Sequence, residues 1–491
     1  MNKVLALYDC RSKQEYIYRT NRVQEITGAS ELLRYLFTDY IRECDMNIRS
    51  DWENNRAEGD FFTDFDAQNL DAEIVYEGGG NLCMIFKDTE TYKKFNKGLS
   101  LYVLKKAHTV SIIASCVEIG KDGAVPDFVE DRRRLYEENT LKKNLGVYQA
   151  PCNVLPFTQV DRITYQPIVK KDGKNKKQYT TESLRKQEAY DNKKEDDFEI
   201  IEKEFDKMVD KGTESLLAII YIDGNNMGEK LKNKTNGKNG YADGINALRE
   251  FSKETNKDFV LNPIEAIKKT LTTAYNEYEG RFNPYSLRII ISGGDEITLV
   301  CNARAVPLIL ETYFKTLTAN KNNTACAGVA IFHSHSPFAD VYEIAEQCCE
   351  SGKKRAHEEK SDNKNFIDFH YCHSGITNSL DAIRERQEAA HTCRPYEYST
   401  TWQDFIGLGR KIAEGKDIKV KRSDIKGLSE AISKVYESDD KKSDSPYYLT
   451  ELKRIGSRQA DNADISKDVL PADMIYDISI VYDLWFGKES E

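Results

Sequence analysis

The stretch of residues 287–300, with the sequence LRIIISGGDEITLV, decides the fold that we predict for this chain. Two apolar, β-branched runs flank Gly293 and Gly294, and glycine permits the positive φ angles that a tight turn requires. The pattern predicts a β-hairpin that carries Asp295 and Glu296 at its turn.

A similar hairpin is predicted near the start of the chain. Residues 74–86 read IVYEGGGNLCMIF, with apolar runs on both sides of Gly79, Gly80 and Asn81. This first hairpin has the glycines of the second one, but it lacks the paired acids.

An aspartate that ends an apolar strand lies upstream of each hairpin. It is Asp9 in the first case and Asp223 in the second. The separation from Asp9 to Asn81 and that from Asp223 to Asp295 are both 72 positions. We therefore interpret the chain as an internal repeat.

A helical pattern and then a strand pattern follow each hairpin, so that each repeat reads β-α-β-β-α-β. This order is that of the ferredoxin-like fold, in which helices cover one face of an antiparallel sheet. The predicted class is α+β, with two ferredoxin-like domains in tandem and a small helical C-terminal domain. The predicted boundaries are 1–160 for the first domain, 161–209 for a charged linker or insertion, 210–380 for the second domain and 381–491 for the helical domain.

Composition limits the classes of protein that remain. The chain has 491 residues, of which 40% are hydrophobic and 31% are charged, a balance typical of globular proteins with several domains. No apolar run is long enough to span a bilayer, and the first apolar stretch, residues 4–8, is too short to suggest a signal peptide, so a cytoplasmic location without membrane attachment is expected. The eleven cysteines form no C-x-x-C pair, which predicts free thiols rather than disulfides or a zinc ribbon. The net charge of −10 argues against a broad nucleic-acid-binding surface.

Asp223, Asp295 and Glu296 are the candidate catalytic and metal-binding residues. The end of a strand and an adjacent hairpin turn would bring their carboxylates together at one edge of the sheet. Clustered carboxylates are hard oxygen ligands that suit Mg²⁺ or Mn²⁺. Two such ions can activate a hydroxyl and stabilise the leaving oxygen during a displacement at phosphorus.

These motifs resemble those of a known family. Residues 292–296, SGGDE, resemble the GGDD or GGDEF turn of palm-type polymerases and nucleotide cyclases. Residues 222–228, IDGNNMG, resemble the D-G-D-x-M-G stretch of the large polymerase-cyclase subunit of type III CRISPR effector complexes. In that family, a degenerate palm domain precedes an active one.

The resemblance implies that ATP is converted into cyclic oligoadenylate in antiviral defence, with two palms facing each other around a pair of nucleotides. It implies a metal site at the three acids and ATP as the substrate. The residues expected to contact nucleotide are Gly224, Asn226, Gly293, Gly294 and Lys353 in the second palm, and Gly79, Gly80 and Asn81 in the first. The first palm is expected to hold a nucleotide without catalytic metals.

The sequence also departs from the family pattern. Asn225 stands where the family has a second aspartate, no histidine is followed by aspartate as in the family's nuclease signature, and the cysteine pairs of a zinc module are absent. These differences suggest a reduced or stand-alone member.

Two alternatives remain at this point: a cyclase that uses another nucleotide, and an inactive scaffold that binds guide or target RNA. Tight RNA binding by the isolated chain is not expected, because its one long basic run is Lys170 to Lys186. A protein partner, a small ligand or self-association is the expected means of control.

Overall fold

The computed structural model describes residues 3–20, 22–120, 123–145, 157–173, 177–192, 200–202, 205–210, 215–280, 282–320, 323–358, 363–372, 379–387, 392–415, 418–433, 445–458 and 465–487. None of the helices in these ranges is both long and apolar enough to cross a bilayer.

The described residues contain thirteen strands and sixteen α-helices. The strands are β1 (Val4–Arg11), β2 (Ile48–Arg49), β3 (Ala72–Gly78), β4 (Asn81–Phe86), β5 (Ser111–Glu118), β6 (Ile168–Lys171), β7 (Gln178–Thr180), β8 (Leu216–Gly224), β9 (Leu287–Gly293), β10 (Glu296–Asn302), β11 (Ala325–His333), β12 (Phe366–Tyr371) and β13 (Tyr396–Glu397). The helices are α1 (Lys13–Tyr18), α2 (Val23–Glu43), α3 (Phe61–Ala67), α4 (Thr89–Lys106), α5 (Phe128–Asn144), α6 (Thr181–Asp191), α7 (Met227–Thr235), α8 (Tyr241–Thr255), α9 (Asn262–Glu277), α10 (Val306–Leu317), α11 (Phe338–Glu358), α12 (Leu380–Gln387), α13 (Thr401–Glu414), α14 (Arg422–Ser433), α15 (Pro446–Gly456) and α16 (Ala472–Trp485).

The chain forms two compact units. The first unit consists of Met1–Asp196, Asn226–Val260 and Ile290–Asp295, and the second consists of Asp197–Asn225, Leu261–Ile289 and Glu296–Glu491. Each unit therefore draws on separate stretches of the chain. The four domain ranges that we derived from the sequence stay a prediction.

Both repeats have the predicted ferredoxin-like topology. The first sheet has the strand order β2-β3-β4-β1-β5, and the second has the order β13-β12-β11-β8-β10-β9. The four strands of the repeat are β1, β3, β4 and β5 in the first sheet and β8, β9, β10 and β11 in the second, and the other strands extend the edges. In each sheet the first of these four strands lies between the third and the fourth, as in the β-α-β-β-α-β plan. The α+β class with two such domains and a helical C-terminal region is confirmed.

The core of the first unit includes a helix that belongs, in sequence, to the second repeat. Tyr241, Ile245 and Leu248 of α8 pack in one cluster with Leu5 and Leu7 of β1. Their spacing of three and four residues places them on one face of the helix. Helix α8 thus covers the sheet of the first repeat, although it lies in the chain between β8 and β9.

A buried ion pair accompanies this packing. The guanidinium of Arg249 donates to Glu73 at 3.0 Å, and also to the backbone carbonyls of Ile74 and Val75. Burial raises the pKa of Glu73, although Arg249 and Arg49 oppose that shift. The pair fixes α8 to β3 at one register.

The predicted linker is more than a connector. It contains the β6-β7 hairpin and helix α6, whose Lys186 has a solvent-exposed fraction of 0%. The ammonium of Lys186 donates to the carbonyl of Tyr16 at 2.5 Å and pairs with Glu182 at 2.6 Å. Lys186 therefore does not contribute to the basic surface that the run from Lys170 suggested.

Helix α6 approaches α2 closely at Gly28. A Cβ atom added at Gly28 would lie 1.8 Å from the carbonyl oxygen of Lys186, which is backbone and cannot move aside alone. We expect Gly28→Ala to destabilise the protein by about 1 to 3 kcal/mol, since it forces the helices apart. Gly407→Ala in α13 is the matched control, because its Cβ would meet no atom within 4 Å. Thermal denaturation of both variants checks this, and equal melting temperatures would contradict it.

The C-terminal helices are anchored to the second sheet by one buried carboxylate. Asp477 of α16 accepts hydrogen bonds from Thr392, Cys393, Arg394 and Tyr396. Tyr396 lies in β13, which extends the sheet beside β12. The region predicted as a small helical domain therefore also contributes an edge strand.

Candidate functional site

The catalytic candidates Asp223 and Glu296 are direct neighbours on adjacent strands. They form a register pair between β8 and β10, which are antiparallel. Side chains of such a pair lie on the same face of the sheet, with their Cβ atoms roughly 5 Å apart. The sheet thus brings together two carboxylates that are 73 positions apart in sequence.

The turn between β9 and β10 consists of Gly294 and Asp295. Gly294 has a φ of +65°, whereas Asp295 is not among the residues with positive φ. A positive φ at the first central residue alone is the pattern of a type II′ hairpin turn. Gly294 is therefore required by the backbone, and Asp295 lies at the tip of the hairpin beside Glu296.

The structure corrects the alignment of the two repeats by one residue. Asn81 is opposite Asp9 in the first sheet, just as Glu296 is opposite Asp223 in the second. The counterpart of Asn81 is therefore Glu296 and not Asp295, so the equal separations of 72 positions did not mark equivalent residues. A register shift between Ile74 and Tyr76 in β3 also makes the first hairpin irregular.

Lys353 contacts the carboxylate of Asp223. It projects from α11, and its ammonium forms an ion pair with Oδ2 of Asp223. Burial is the largest single effect and lowers the pKa of Lys353, but the charge and the hydrogen bond of Asp223, together with the thiols of Cys349 and Cys326, outweigh burial, so that the pKa of Lys353 is raised. The sequence-based role of Lys353 as a triphosphate contact stays a prediction, because its partner here is a protein carboxylate.

The pKa values of neighbouring groups are raised by the negative charge of the site. Burial raises the pKa of Tyr221, and the carboxylates of Glu296 and Asp223 add to that rise. The pKa of Glu346 on α11 is raised by burial, then by Glu350 and Glu343, and also by Asp223. A cation at this position would relieve the repulsion.

The residues after Asp223 shape the entry to helix α7. Gly224 ends β8 and is opposite Ala325 in β11. Asn225 is buried and donates its side-chain amide to the carbonyl of Lys364 at 3.2 Å. Asn226 precedes α7 with a φ of 56°, a left-handed conformation that asparagine tolerates better than most residues.

The first repeat retains a similar ion pair. Asp9 pairs with Lys143 of α5, the helix that follows β5, as Asp223 pairs with Lys353 of the helix that follows β11. Asn139 of α5 also donates to Asp9, at 3.3 Å. The strand-end aspartate of each repeat is thus paired with a lysine from the helix that follows the last strand of that repeat.

The turn of the first repeat differs in its backbone. Gly79 and Gly80 have φ angles of 58° and 75°, the pattern of a type I′ turn, which explains both glycines by geometry alone. The ammonium of Lys13 donates to the carbonyl of Gly79. Oδ1 of Asn81 is buried and has no hydrogen-bond partner in the described part of the chain.

Sequence reasoning missed Lys143 and Glu346. The signal for Lys143 was available, since the helix at 127–144 follows the last strand of the repeat as α11 does. No local pattern indicated Glu346, because its proximity to Asp223 depends on how α11 crosses the sheet.

The donor set fits a divalent cation in its chemistry. Asp223 and Glu296 offer oxygen ligands of the type that Mg²⁺ and Mn²⁺ prefer, and the ammonium of Lys353 already places a positive charge at Asp223. Among the described residues, however, no group of three or more His, Cys, Asp or Glu side chains is arranged to hold a metal. Completing such a site would require Asp223 to exchange Lys353 for a metal.

The structural roles of Gly293 and Gly294 can be distinguished by substituting each with alanine. A Cβ atom added at Gly293 would meet nothing within 4 Å, and its φ is not positive, so Gly293→Ala should leave stability within about 0.5 kcal/mol. Gly294→Ala places an L-residue at a φ of +65° and should cost about 1 to 2 kcal/mol. Denaturant titration of both variants checks this, and equal losses would contradict the assigned turn geometry.

Comparisons with known proteins identify the region around this site. Residues 216–365 match the family model of the second palm domain of Cas10/Cmr2. No curated protein matches the chain. The fold is similar to a Csm1-Csm4 cassette in complex with cA4, with a TM-score of 0.56 and 12% identity over 98% of this chain and 70% of the other.

Two related structures give the same picture. A Csm1-Csm4 cassette in complex with AMPPNP has a TM-score of 0.54 and 14% identity, over 98% of this chain and 70% of the other. The Csm1-Csm4 subcomplex in the type III-A CRISPR-Csm interference complex has a TM-score of 0.52 and 14% identity over the same shares. The family model and the fold agree with the resemblance that the sequence indicated. Residues 216–365 therefore match the second palm domain of the Cas10/Cmr2 family, and the fold of the whole chain is similar to that of Csm1 in the Csm1-Csm4 cassettes.

Proposed function

We propose that the protein is a metal-dependent nucleotidyltransferase that joins ATP into a cyclic oligoadenylate-type second messenger in antiviral defence. The observation that carries this proposal is the register pair of Asp223 and Glu296, next to the glycine turn and within the matched palm region. Structures of Csm1-Csm4 cassettes in complex with cA4, cA3 and ATP support the choice of substrate and product.

In the proposed reaction, a ribose hydroxyl attacks the α-phosphorus of a second ATP, and pyrophosphate leaves. Bound Mg²⁺ or Mn²⁺, held by Asp223, Asp295 and Glu296, would supply activation of the hydroxyl and stabilisation of the leaving oxygen. Gly293 leaves open space beside the turn, into which a nucleotide can approach the backbone. Gly224 and Asn226 stay proposed nucleotide contacts from the end of β8.

In this scheme Lys353 has two successive partners, the carboxylate of Asp223 and the triphosphate of the nucleotide. In the free protein it neutralises Asp223. When Asp223 binds a metal, the ammonium becomes available to a phosphate oxygen, and we propose that it then contacts the triphosphate. The ion pair would thus limit charge repulsion in the site until metal and nucleotide arrive.

The first palm, residues 1–160, is proposed to hold a nucleotide without metals. At the strand end and hairpin turn, where the second palm has three acids, the first palm has only Asp9 as a counterpart, and Asp9 is already paired with Lys143. The buried Oδ1 of Asn81 lacks a partner among the described residues, and it could accept a hydrogen bond from a ligand. Gly79 and Gly80 stay proposed contacts, although the turn geometry already accounts for them.

Partner proteins are proposed as the means of control. The related Csm1 structures contain Csm4, a second protein. We propose that this chain is activated by a partner subunit or by self-association, and that RNA binding by the isolated chain is weak at physiological salt. The burial of Lys186 supports weak RNA binding, because it shortens the exposed basic run.

Two observations favour the scaffold alternative. The Asp223–Lys353 pair and the lack of a three-ligand group among the described residues would suit a palm that binds without catalysis. The use of a nucleotide other than ATP is the remaining enzymatic alternative, since no described contact selects a base.

One experiment separates these possibilities. The purified protein, alone and with candidate partner proteins, is incubated with each NTP and with Mg²⁺ or Mn²⁺, and products are resolved by mass spectrometry. We expect oligoadenylate and pyrophosphate from ATP, and no product after chelation of the metal. Product from another NTP would support the second enzymatic alternative. If every mixture stays without product while RNA binds at nanomolar concentration, the scaffold is the better description.

A further inference from the structure

Large apolar side chains are concentrated at the surface of one short stretch of the first unit. Within residues 157–169, four of them are 84%, 54%, 71% and 55% exposed, namely Phe157, Ile163, Tyr165 and Val169. A single exposed apolar residue needs no explanation, whereas a concentration of them marks an interaction surface. Two of the four lie in a hairpin tip, residues 161–166, which a β-bridge closes just before β6.

Hydrogen bonds fix the backbone of the hairpin tip. The carboxylate of Asp161 accepts from the backbone N–H groups of Ile163 at 3.0 Å and Thr164 at 2.8 Å. The side chain of Gln166 donates to Glu182 of α6 at 3.0 Å, so the tip is also tied to a helix of the first unit. A loop that is ordered before binding loses little conformational entropy when it binds.

Tyr165 has an unfavourable backbone conformation in this tip. Its φ is 54°, in the left-handed region that bulky residues seldom adopt. Packing within the chain does not explain this conformation, because the side chain is mostly exposed. A strained residue that presents an aromatic ring to solvent indicates that the ring has a partner outside the chain.

The exposed charge of the same stretch is positive. Arg162 in the hairpin tip, and Lys170 and Lys171 in β6, are exposed. The one acid of the tip, Asp161, is engaged by the backbone of the turn. A partner surface for this stretch must therefore be both acidic and apolar.

The first unit itself contains a surface of this kind. A cavity of about 740 Å³, which we call the acidic cavity, lies between the loop before α3 and the start of α8. Its charged lining residues are three acids and one arginine, namely Glu58, Asp60, Asp243 and Arg56. The rings of Phe62 and Tyr241, whose centroids are 4.7 Å apart, supply an apolar wall. Cavities of roughly 300 to 1,000 Å³ enclose ligands larger than one amino-acid side chain, so the apolar side chains of the tip have room to enter.

The walls of the acidic cavity are held by hydrogen bonds. Asn246 of α8 donates to the carbonyl of Ala57 at 2.7 Å and accepts from its N–H at 2.9 Å. The guanidinium of Arg249, also in α8, donates to the carbonyl of Asn55 at 3.0 Å. These bonds fix the loop before α3 to α8, so the cavity is formed before a partner arrives.

The acidic cavity is separate from the nucleotide contacts that we propose for the first palm. Its Phe62 ring centroid lies 5.5 Å from the ammonium of Lys3, which precedes β1. Asp9 lies near the other end of β1, opposite Asn81. Six residues of strand, at roughly 3.3 Å each, place these two ends about 20 Å apart. A partner in the cavity therefore leaves the strand end at Asp9 uncovered.

We propose that the hairpin tip of one copy of this chain docks in the acidic cavity of a second copy. The apolar side chains of the tip pack against the aromatic wall, and Arg162 meets the acids. Because both features belong to the first unit, two copies can exchange tips and make the same contact twice, as in a two-fold dimer. This inference gives a surface to the self-association named under the proposed function, but it does not require catalysis.

The test reverses the charge on each side of the contact in the full-length protein. Arg162→Glu and the double variant Glu58→Lys/Asp243→Lys are compared with the wild type by sedimentation equilibrium without nucleotide. We expect the wild type to associate with a Kd of roughly 1 to 100 μM, and each variant to associate at least about tenfold more weakly. An equimolar mixture of the two variants should associate like the wild type, because each contact in the mixed pair again joins opposite charges. Glu279→Lys/Glu430→Lys, which changes two exposed acids outside the cavity, is the matched control and should behave as the wild type.

Tyr165→Asn supplies a second readout. Asparagine tolerates the left-handed conformation better than tyrosine, so this variant should melt at the same temperature as the wild type or higher, while it associates at least about tenfold more weakly. A marked loss of stability, or unchanged association, in this variant overturns the proposal.

Three further results also overturn it. They are a wild type that stays monomeric up to about 100 μM, a mixture of the charge variants that fails to associate, and a monomeric wild type that binds a short single-stranded RNA through Arg162, measured by fluorescence anisotropy. Failure of the proposed function is a different result, because association is measured as mass. Product formation by a monomer overturns only this inference, and association without product overturns only the proposed function.

Discussion

Replacing Asp223 with asparagine is expected to reduce product formation by about 10³-fold, the scale of losing charge stabilisation in a transition state. The side chain keeps its shape, but it no longer ligates a metal as a carboxylate. Asp295→Ala and Glu296→Gln should have similar effects, since the proposed site uses all three acids. The measurement is the initial rate of pyrophosphate release with ATP under the most active condition found.

The repeat supplies a matched control for this prediction. Asp9→Asn makes the same change at the equivalent position of the first sheet, where the opposite residue is Asn81 and not an acid. It also breaks the equivalent lysine pair. We expect its rate to stay within about tenfold of the wild type, which corresponds to about 1.4 kcal/mol. Near-normal turnover in Asp223→Asn would remove the metal assignment, and equal losses at Asp9 and Asp223 would show that the first palm is also catalytic.

Asp477→Ala is expected to have the largest effect on stability. Asp477 and Arg394 have side-chain exposures of 0%, so the substitution would leave the guanidinium buried without its carboxylate. Breaking a buried pair in this way costs about 3 to 5 kcal/mol. In a unit of this size, that corresponds to a fall in melting temperature of roughly 6 to 20 °C.

Asp483→Ala is the control for the same helix. Asp483 pairs with Arg422 at the surface, where the side chains are 43% and 61% exposed. Exposed pairs contribute about 0 to 1 kcal/mol, so this variant should melt within roughly 4 °C of the wild type. Similar melting temperatures for both variants would mean that the Asp477 network does not hold the C-terminal helices.

Helix α8 explains why the domain ranges predicted from sequence and the compact units do not coincide. Sequence reasoning assigned residues 210–380 to one domain because strands and helices follow one another there in a regular order. The apolar face of α8 instead packs in the same hydrophobic cluster as residues of β1, and Arg249 pairs with Glu73 in β3. Such a choice of partner depends on which apolar face is left uncovered elsewhere, and local periodicity contains no information about this.

The sequence by itself determined the repeat, the α+β class, the two glycine hairpins and the acids of the candidate site, because strand alternation and turn chemistry are local properties. It also indicated the polymerase-cyclase family. The tertiary structure alone decided that Glu296 is opposite Asp223, that Lys353 and Lys143 pair with the two strand-end aspartates, and that Lys186 is buried. These outcomes depend on sheet register and on helix crossings between residues far apart in the chain, where a shift of one position moves a side chain to the other face of the sheet.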